Sequence, residues 1–123
     1  PLNHNKILNL KNIDEKFINP PFDPDNKYSL PYQWGTLGLG YNLKKTKQDV
    51  ESWQEIFDPK YQGRVSLIEE MRMMMGAILL YLGYDPNTTN PEEINKAKDF
   101  LIQHKENIAA FAPDTGQVLL DQG

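Results

Sequence analysis

Glu69 and Glu70 follow directly on the short run Arg64-Val65-Ser66-Leu67-Ile68 and precede an apolar, helix-forming stretch, so they fall where a strand hands over to a helix. Open α/β sheets bind ligands outside the carboxyl ends of their strands, and a pair of acids placed there is a candidate cation site. A second reading needs no ligand: acids in the first turn of a helix stabilise its macrodipole by about 0.3 to 1 kcal/mol. Met71, Met73, Met74 and Met75 read as gap-filling core side chains rather than a thioether metal site.

Other candidate chemistries fail on spacing. The run GTLGLG lacks the G-x-G-x-x-G order, and YNLKKT after it neither opens a helix nor places a lysine directly after the last glycine, so it is no phosphate cradle. His4 and His104 have no second ligand at helical spacing; a surface position or a helix end explains each. Ser29, Ser52 and Ser66 lie in no G-x-S-x-G elbow. No catalytic residue, metal ligand or cofactor is therefore expected, and the chain is not read as an enzyme.

The elements that must position Glu69 and Glu70 are legible from their punctuation. Ser52-Trp53-Gln54-Glu55 has capping-box spacing and predicts a short helix to about Phe57, with Trp53, Ile56 and Phe57 as its apolar edge. A strand over 64–68 is followed by a helix to about Leu82, ended by Gly83. Met71, Met74, Ile78 and Leu82 occupy one side of that helix and Met73, Ala77 and Leu80 another, so it is expected to be covered on more than one face. Asn90-Pro91-Glu92-Glu93 starts a further helix with Ile94, Ala97 and Leu101 as its buried stripe. Ile108 to Phe111 is a candidate strand, and Asp114 or Thr115 is expected to cap a last helix to Asp121.

Upstream, one helical turn is expected around Asn5 to Leu10, and Pro20, Pro21 and Pro24 make the rest of 1–27 an irregular wrap. Residues 28–42 alternate Leu30, Tyr32, Trp34 and Thr36 against Gln33, Leu37, Leu39 and Tyr41, the period-two pattern of a strand. Fully extended, they would span nearly ~50 Å at ~3.3 Å per residue, too long for one lobe, which predicts a crossover strand acting as a hinge beside a cleft. Gly35, Gly38 and Gly40 mark where it bends or lets another group approach. The expected order, strand, helix, strand, helix, helix, strand, helix, is an α/β lobe.

Composition narrows the partners. With 17 acidic against 13 basic residues the net charge is -4, and the basic residues are scattered apart from Lys44 and Lys45, so no nucleic-acid partner is expected. The longest apolar run, Met73 to Tyr84, is well short of the ~20 residues that cross a bilayer. An opening without Met and an end on Gly123 lead to the expectation of an internal piece of a longer protein.

The runs NPPFDPDNKYSLPYQWGTLGLGYN, SWQEIFDPKYQGRVSLIEEMR, LGYDPNTTNPEEINKAKDFL and NIAAFAPD together resemble the spermidine/putrescine-binding periplasmic proteins of polyamine ABC importers, in the family's order across nearly the whole chain. The resemblance implies a type II periplasmic binding protein fold, with 1–27 leading from the first lobe, 28–42 the crossover strand, and 43–123 an incomplete second lobe. It implies a polyamine held in an interlobe cleft, a membrane permease as partner, and a periplasmic or extracellular site, lipid-anchored or not. On the family's motif Glu70 matches the first carboxylate that holds an ammonium, whereas Met73 stands where the second belongs. Tyr32 and Trp34 are expected to offer cation–π contacts of about 0.5 to 2 kcal/mol, with hinge packing as the alternative role of Trp34. An unpaired sheet edge would let such a fragment self-associate. A sensory or protein-interaction module on the same lobe, and a binding protein for a non-polyamine solute, are the competing readings.

Overall fold

The computed structural model describes residues 1–113 and 116–122, in two compact units, Pro1–Thr36 and Leu37–Gly123. The α/β class read from the sequence holds in the second unit, where β1 (Val65–Ile68) pairs in parallel with β2 (Ile108–Ala112). Parallel neighbours need a long connection, and here it carries two helices, α2 (Met71–Tyr81) and α3 (Pro91–Gln103). The numbering leaves α1 for a single turn at Leu43–Thr46 and α4 for Gln117–Gln122. A register shift between Val65 and Ser66 sets Ser66 opposite Ala110 and Ile68 opposite Ala112.

The helix boundaries follow from their caps. The Asn90 side chain accepts the Glu92 amide at 3.0 Å, with Pro91 in the first turn, where a missing N–H costs nothing. α2 ends in a Schellman turn: Gly83, at φ +83°, donates to Leu80 at 3.0 Å and Tyr84 donates to Leu79 at 2.9 Å. The Ser52 hydroxyl accepts the Gln54 amide at 3.2 Å, but Glu55 turns to Lys60, and the element is a five-residue 3-10 helix, Trp53–Phe57. The expected cap at Asp114 or Thr115 lies outside the described residues.

Ile78, Leu79 and Ala97 are the buried centre where α2 meets α3, with Phe57, Met75, Leu82, Tyr84, Phe100 and Leu101 packed around them. Two expectations are corrected. α2 is not covered on its second side, since Met73 and Leu80 are exposed, as is Met71; only Met74 and Met75 are half-buried as gap-fillers. On α3 the stripe runs through Ala97, Phe100 and Leu101, leaving Ile94 exposed, because Phe100 fills the space beside Phe57 at 4.7 Å between ring centroids.

The 28–42 stretch is likewise corrected: among the described residues, none in it is in a strand, and the described sheet consists of β1 and β2. Gly40 does receive a close neighbour, as a Cβ there would meet Leu120 Cδ1 at 3.1 Å; beside Gly35 and Gly38 the space is open. The expectation that YNLKKT opens no helix is corrected by the single turn at Leu43–Thr46, capped by Asn42, whose Oδ1 accepts the Lys44 amide at 3.1 Å while its Nδ2 donates to the Leu120 carbonyl at 2.7 Å.

The first unit is built from 3-10 turns at His4–Lys6, Leu10–Asn12, Glu15–Phe17 and Pro24–Asn26 around a polar knot. Buried Asp23 accepts the Ser29 hydroxyl and amide, both at 2.7 Å, and the Tyr28 amide at 3.1 Å. Asn26 accepts the Asn19 amide at 2.7 Å, donates to the Ser29 carbonyl at 3.3 Å, and offers its own carbonyl to His4 Nε2 at 2.8 Å. Ser29 is thereby held at its hydroxyl, amide and carbonyl.

These contacts make the knot acid-sensitive. The Ser29 hydroxyl, and then the Tyr28 and Ser29 amides, hold the Asp23 carboxyl below its ordinary 3.8 against the opposing effect of burial. A depressed carboxylate contributes stability that is present above its unfolded pKa and lost as pH falls through the folded value. Asp23→Asn is therefore expected to flatten the loss of amide protection at Tyr28 and Ser29 below about pH 4. Hydrogen exchange across an acid series measures this; parallel acid profiles for both proteins would exclude Asp23 as the titrating group.

Candidate functional site

Glu70 is the N-cap of α2. Its Oε2 accepts the Met73 amide at 2.7 Å and its Oε1 the Arg72 amide at 3.2 Å. Glu70 therefore stands one position before the first turn, as its cap rather than as the expected first-turn acid, and the carboxylate is fixed rather than free to rotate. Its charge nonetheless remains without a counter-ion, because Arg72 turns its Nη2 to Asn87 Oδ1 at 2.9 Å, and among the described residues no cation lies within 4 Å of Glu69 or Glu70.

Position and exposure also suit a cation. The Glu69 amide donates to the Ala112 carbonyl at 2.9 Å, carrying the β1–β2 ladder one step further, so Glu70 stands just past the carboxyl end of β1. Met73, one turn along α2, is 47% exposed and offers a flexible apolar arm beside the carboxylate. The positive end of the helix dipole and the two amides work against a bound ammonium here, so the carboxylate must supply the attraction.

An open cleft of about 560 Å³ elsewhere in this unit is lined by Glu55, Asp58, Phe57, Tyr81, Phe100 and His104. Its acids are already satisfied, as Lys60 Nζ lies 3.0 Å from Glu55 and 3.3 Å from Asp58. Glu55 first, and then Asp58, hold the Lys60 ammonium above its usual pKa despite desolvation. This cleft is no equal of the Glu70 position.

In the first unit Tyr32 is 94% and Trp34 68% exposed, three and five residues beyond the anchored Ser29. Trp34 tilts against Phe17 at 6.3 Å between centroids, and Lys16 Nζ lies 5.5 Å from its ring. Sequence reasoning singled out Tyr32 and Trp34 but missed Lys16, whose contact joins residues 18 apart in an irregular segment where no periodicity points to it.

A family model described as bacterial extracellular solute-binding protein matches residues 1–122. The chain belongs to that family. Within the bacterial extracellular solute-binding proteins, it is 38% identical over 114 residues to the spermidine/putrescine-binding periplasmic protein of Escherichia coli K12, covering 92% of this chain and 33% of that protein. It is 36% identical over 117 residues to a putrescine/cadaverine-binding protein of Pseudomonas aeruginosa, covering 89% of this chain and 33% of the relative. Among solved structures, a putative spermidine/putrescine ABC transporter from Listeria monocytogenes superposes with a TM-score of 0.86 at 38% identity, over 99% of this chain and 38% of that one. The chain thus spans about a third of the length of the curated relatives it matches and has the fold of a partial lobe of this binding-protein family.

Proposed function

We propose that this chain is part of the extracytoplasmic solute-binding component of an ABC importer, which captures a polyamine and presents it to a membrane permease. The observation that carries this reading is the Glu70 carboxylate, fixed at the strand end with no counter-ion among the described residues. In it Glu70 takes one ammonium and Met73 lies along the methylenes; within the first unit, Tyr32 and Trp34 offer aromatic faces to a cationic group. The chemistry is capture alone, so no bond of the ligand is made or broken.

Met73 shapes the ligand preference. A thioether contributes contact area without charge, so a second ammonium near it would stay unneutralised after losing its water, at a cost of several kcal/mol. A ligand with one ammonium at Glu70 and methylenes over Met73 fits better than one presenting two charges there. Calorimetry on the intact binding protein with putrescine, cadaverine, spermidine and an anionic amino acid tests this. Binding of the polyamines and not of the anion is expected; preference for the anion would refute the reading.

A further inference from the structure

Lys16 places its ammonium 4.8 Å from the Phe17 ring and 5.5 Å from the Trp34 ring, with Asp14 Oδ2 at 3.7 Å. Among the described residues it is the one ammonium set over two aromatic rings; those of Lys27, Lys60 and Lys96 each meet a single tyrosine. The cage is organised locally, because Asp14 also caps the turn that carries Lys16, its Oδ1 accepting the Lys16 amide at 3.1 Å. One carboxylate and two rings around a primary ammonium are the parts from which a protein builds a site for such a group. Here the chain fills that site with its own side chain.

We propose that Lys16 is a built-in competitor for the ammonium of the ligand at Trp34, and so a residue that sets affinity. The inference rests on the proposed role of Trp34 in taking a cationic ligand. Its direction does not depend on which face of the indole the ligand uses. On the face Lys16 covers, the two ammoniums exclude one another; on the opposite face they repel across the ring and share one quadrupole. Either way, the ligand must displace or tolerate a charge that a neutral side chain would not present.

The test is calorimetry of putrescine and spermidine binding to the intact binding protein, comparing wild type with Lys16→Gln, Lys16→Arg, Trp34→Leu and the Lys16→Gln/Trp34→Leu double variant. Lys16→Gln is expected to tighten binding about two- to fivefold, the scale of an exposed cation–π contact. Lys16→Arg, which keeps a cation over the rings, is expected to stay near wild type. In the Trp34→Leu background the gain from Lys16→Gln should vanish. If Lys16→Gln binds no better than wild type while Trp34→Leu weakens binding, the competitor role is refuted and the ligand reading stands. If Lys16→Arg tightens binding as much as Gln does, charge at this site is not the cause and the proposal falls. Wild-type affinity in Trp34→Leu removes Trp34 from the ligand and overturns both.

Discussion

Glu70→Gln is expected to weaken polyamine binding by about 30-fold or more, corresponding to about 2 kcal/mol, the lower end of what truncating one partner of an enclosed charge pair costs. Glutamine is the informative replacement because its amide oxygen can still accept one of the two amides that Glu70 now holds, from Arg72 and Met73. The helix then keeps part of its cap, and the lost affinity reports charge rather than a frayed α2. Alanine would confound the two, since losing an N-cap side chain alone costs about 1 kcal/mol. Calorimetry with putrescine at two ionic strengths, alongside circular dichroism of the unliganded variant, measures the effect. A Glu70→Gln protein that folds normally and binds as wild type would take this carboxylate out of the ligand site.

Met73 supplies the reciprocal arm. It lies one turn after Glu70 and is half exposed, so a carboxylate there would add negative charge on the same side of α2. Met73→Glu is expected to raise affinity for diamines about tenfold, the gain of one charge-assisted hydrogen bond. If it leaves affinity unchanged or lowers it, the ammonium held by Glu70 lies out of reach of position 73.

The parts read correctly from the sequence were those whose signals are local. Asn90-Pro91 starts α3, Gly83 ends α2, and Glu70 sits at its start; each is decided by a residue and its neighbours within one turn. The 28–42 stretch shows the converse. Its period-two alternation is genuine, but a strand is a property of two segments, and among the described residues 28–42 is paired in no ladder. The faces of α2 and α3 were misjudged for a related reason: Leu79 and Phe100 gain their burial from each other's helix and from Phe57, which no single-helix wheel contains. The knot around Ser29 was passed over because three prolines argued against regular structure. The same segment holds Asn19, Asp23, Asp25 and Asn26, the residue types whose side chains bond nearby backbone in turns.

Asn26 is where that knot should break most sharply. It is 2% exposed and sits at φ +49°, a conformation that costs an ordinary L-residue about 1 to 2 kcal/mol. Its side chain also accepts the Asn19 amide and donates to the Ser29 carbonyl, two part-buried hydrogen bonds worth about 0.5 to 1.5 kcal/mol each. Asn26→Ala is therefore expected to destabilise the segment by about 2 to 4 kcal/mol, read as lost exchange protection at the Tyr28 and Ser29 amides. Asn26→Gly removes the same hydrogen bonds but tolerates positive φ, so it is expected to be milder than alanine by about 1 kcal/mol, the reverse of the usual order of these residues within a helix. That inversion separates backbone strain from lost hydrogen bonding. If glycine proves as damaging as alanine, the left-handed conformation contributes nothing, and the hydrogen bonds to Asn19 and Ser29 alone fix the base from which Tyr32 and Trp34 extend.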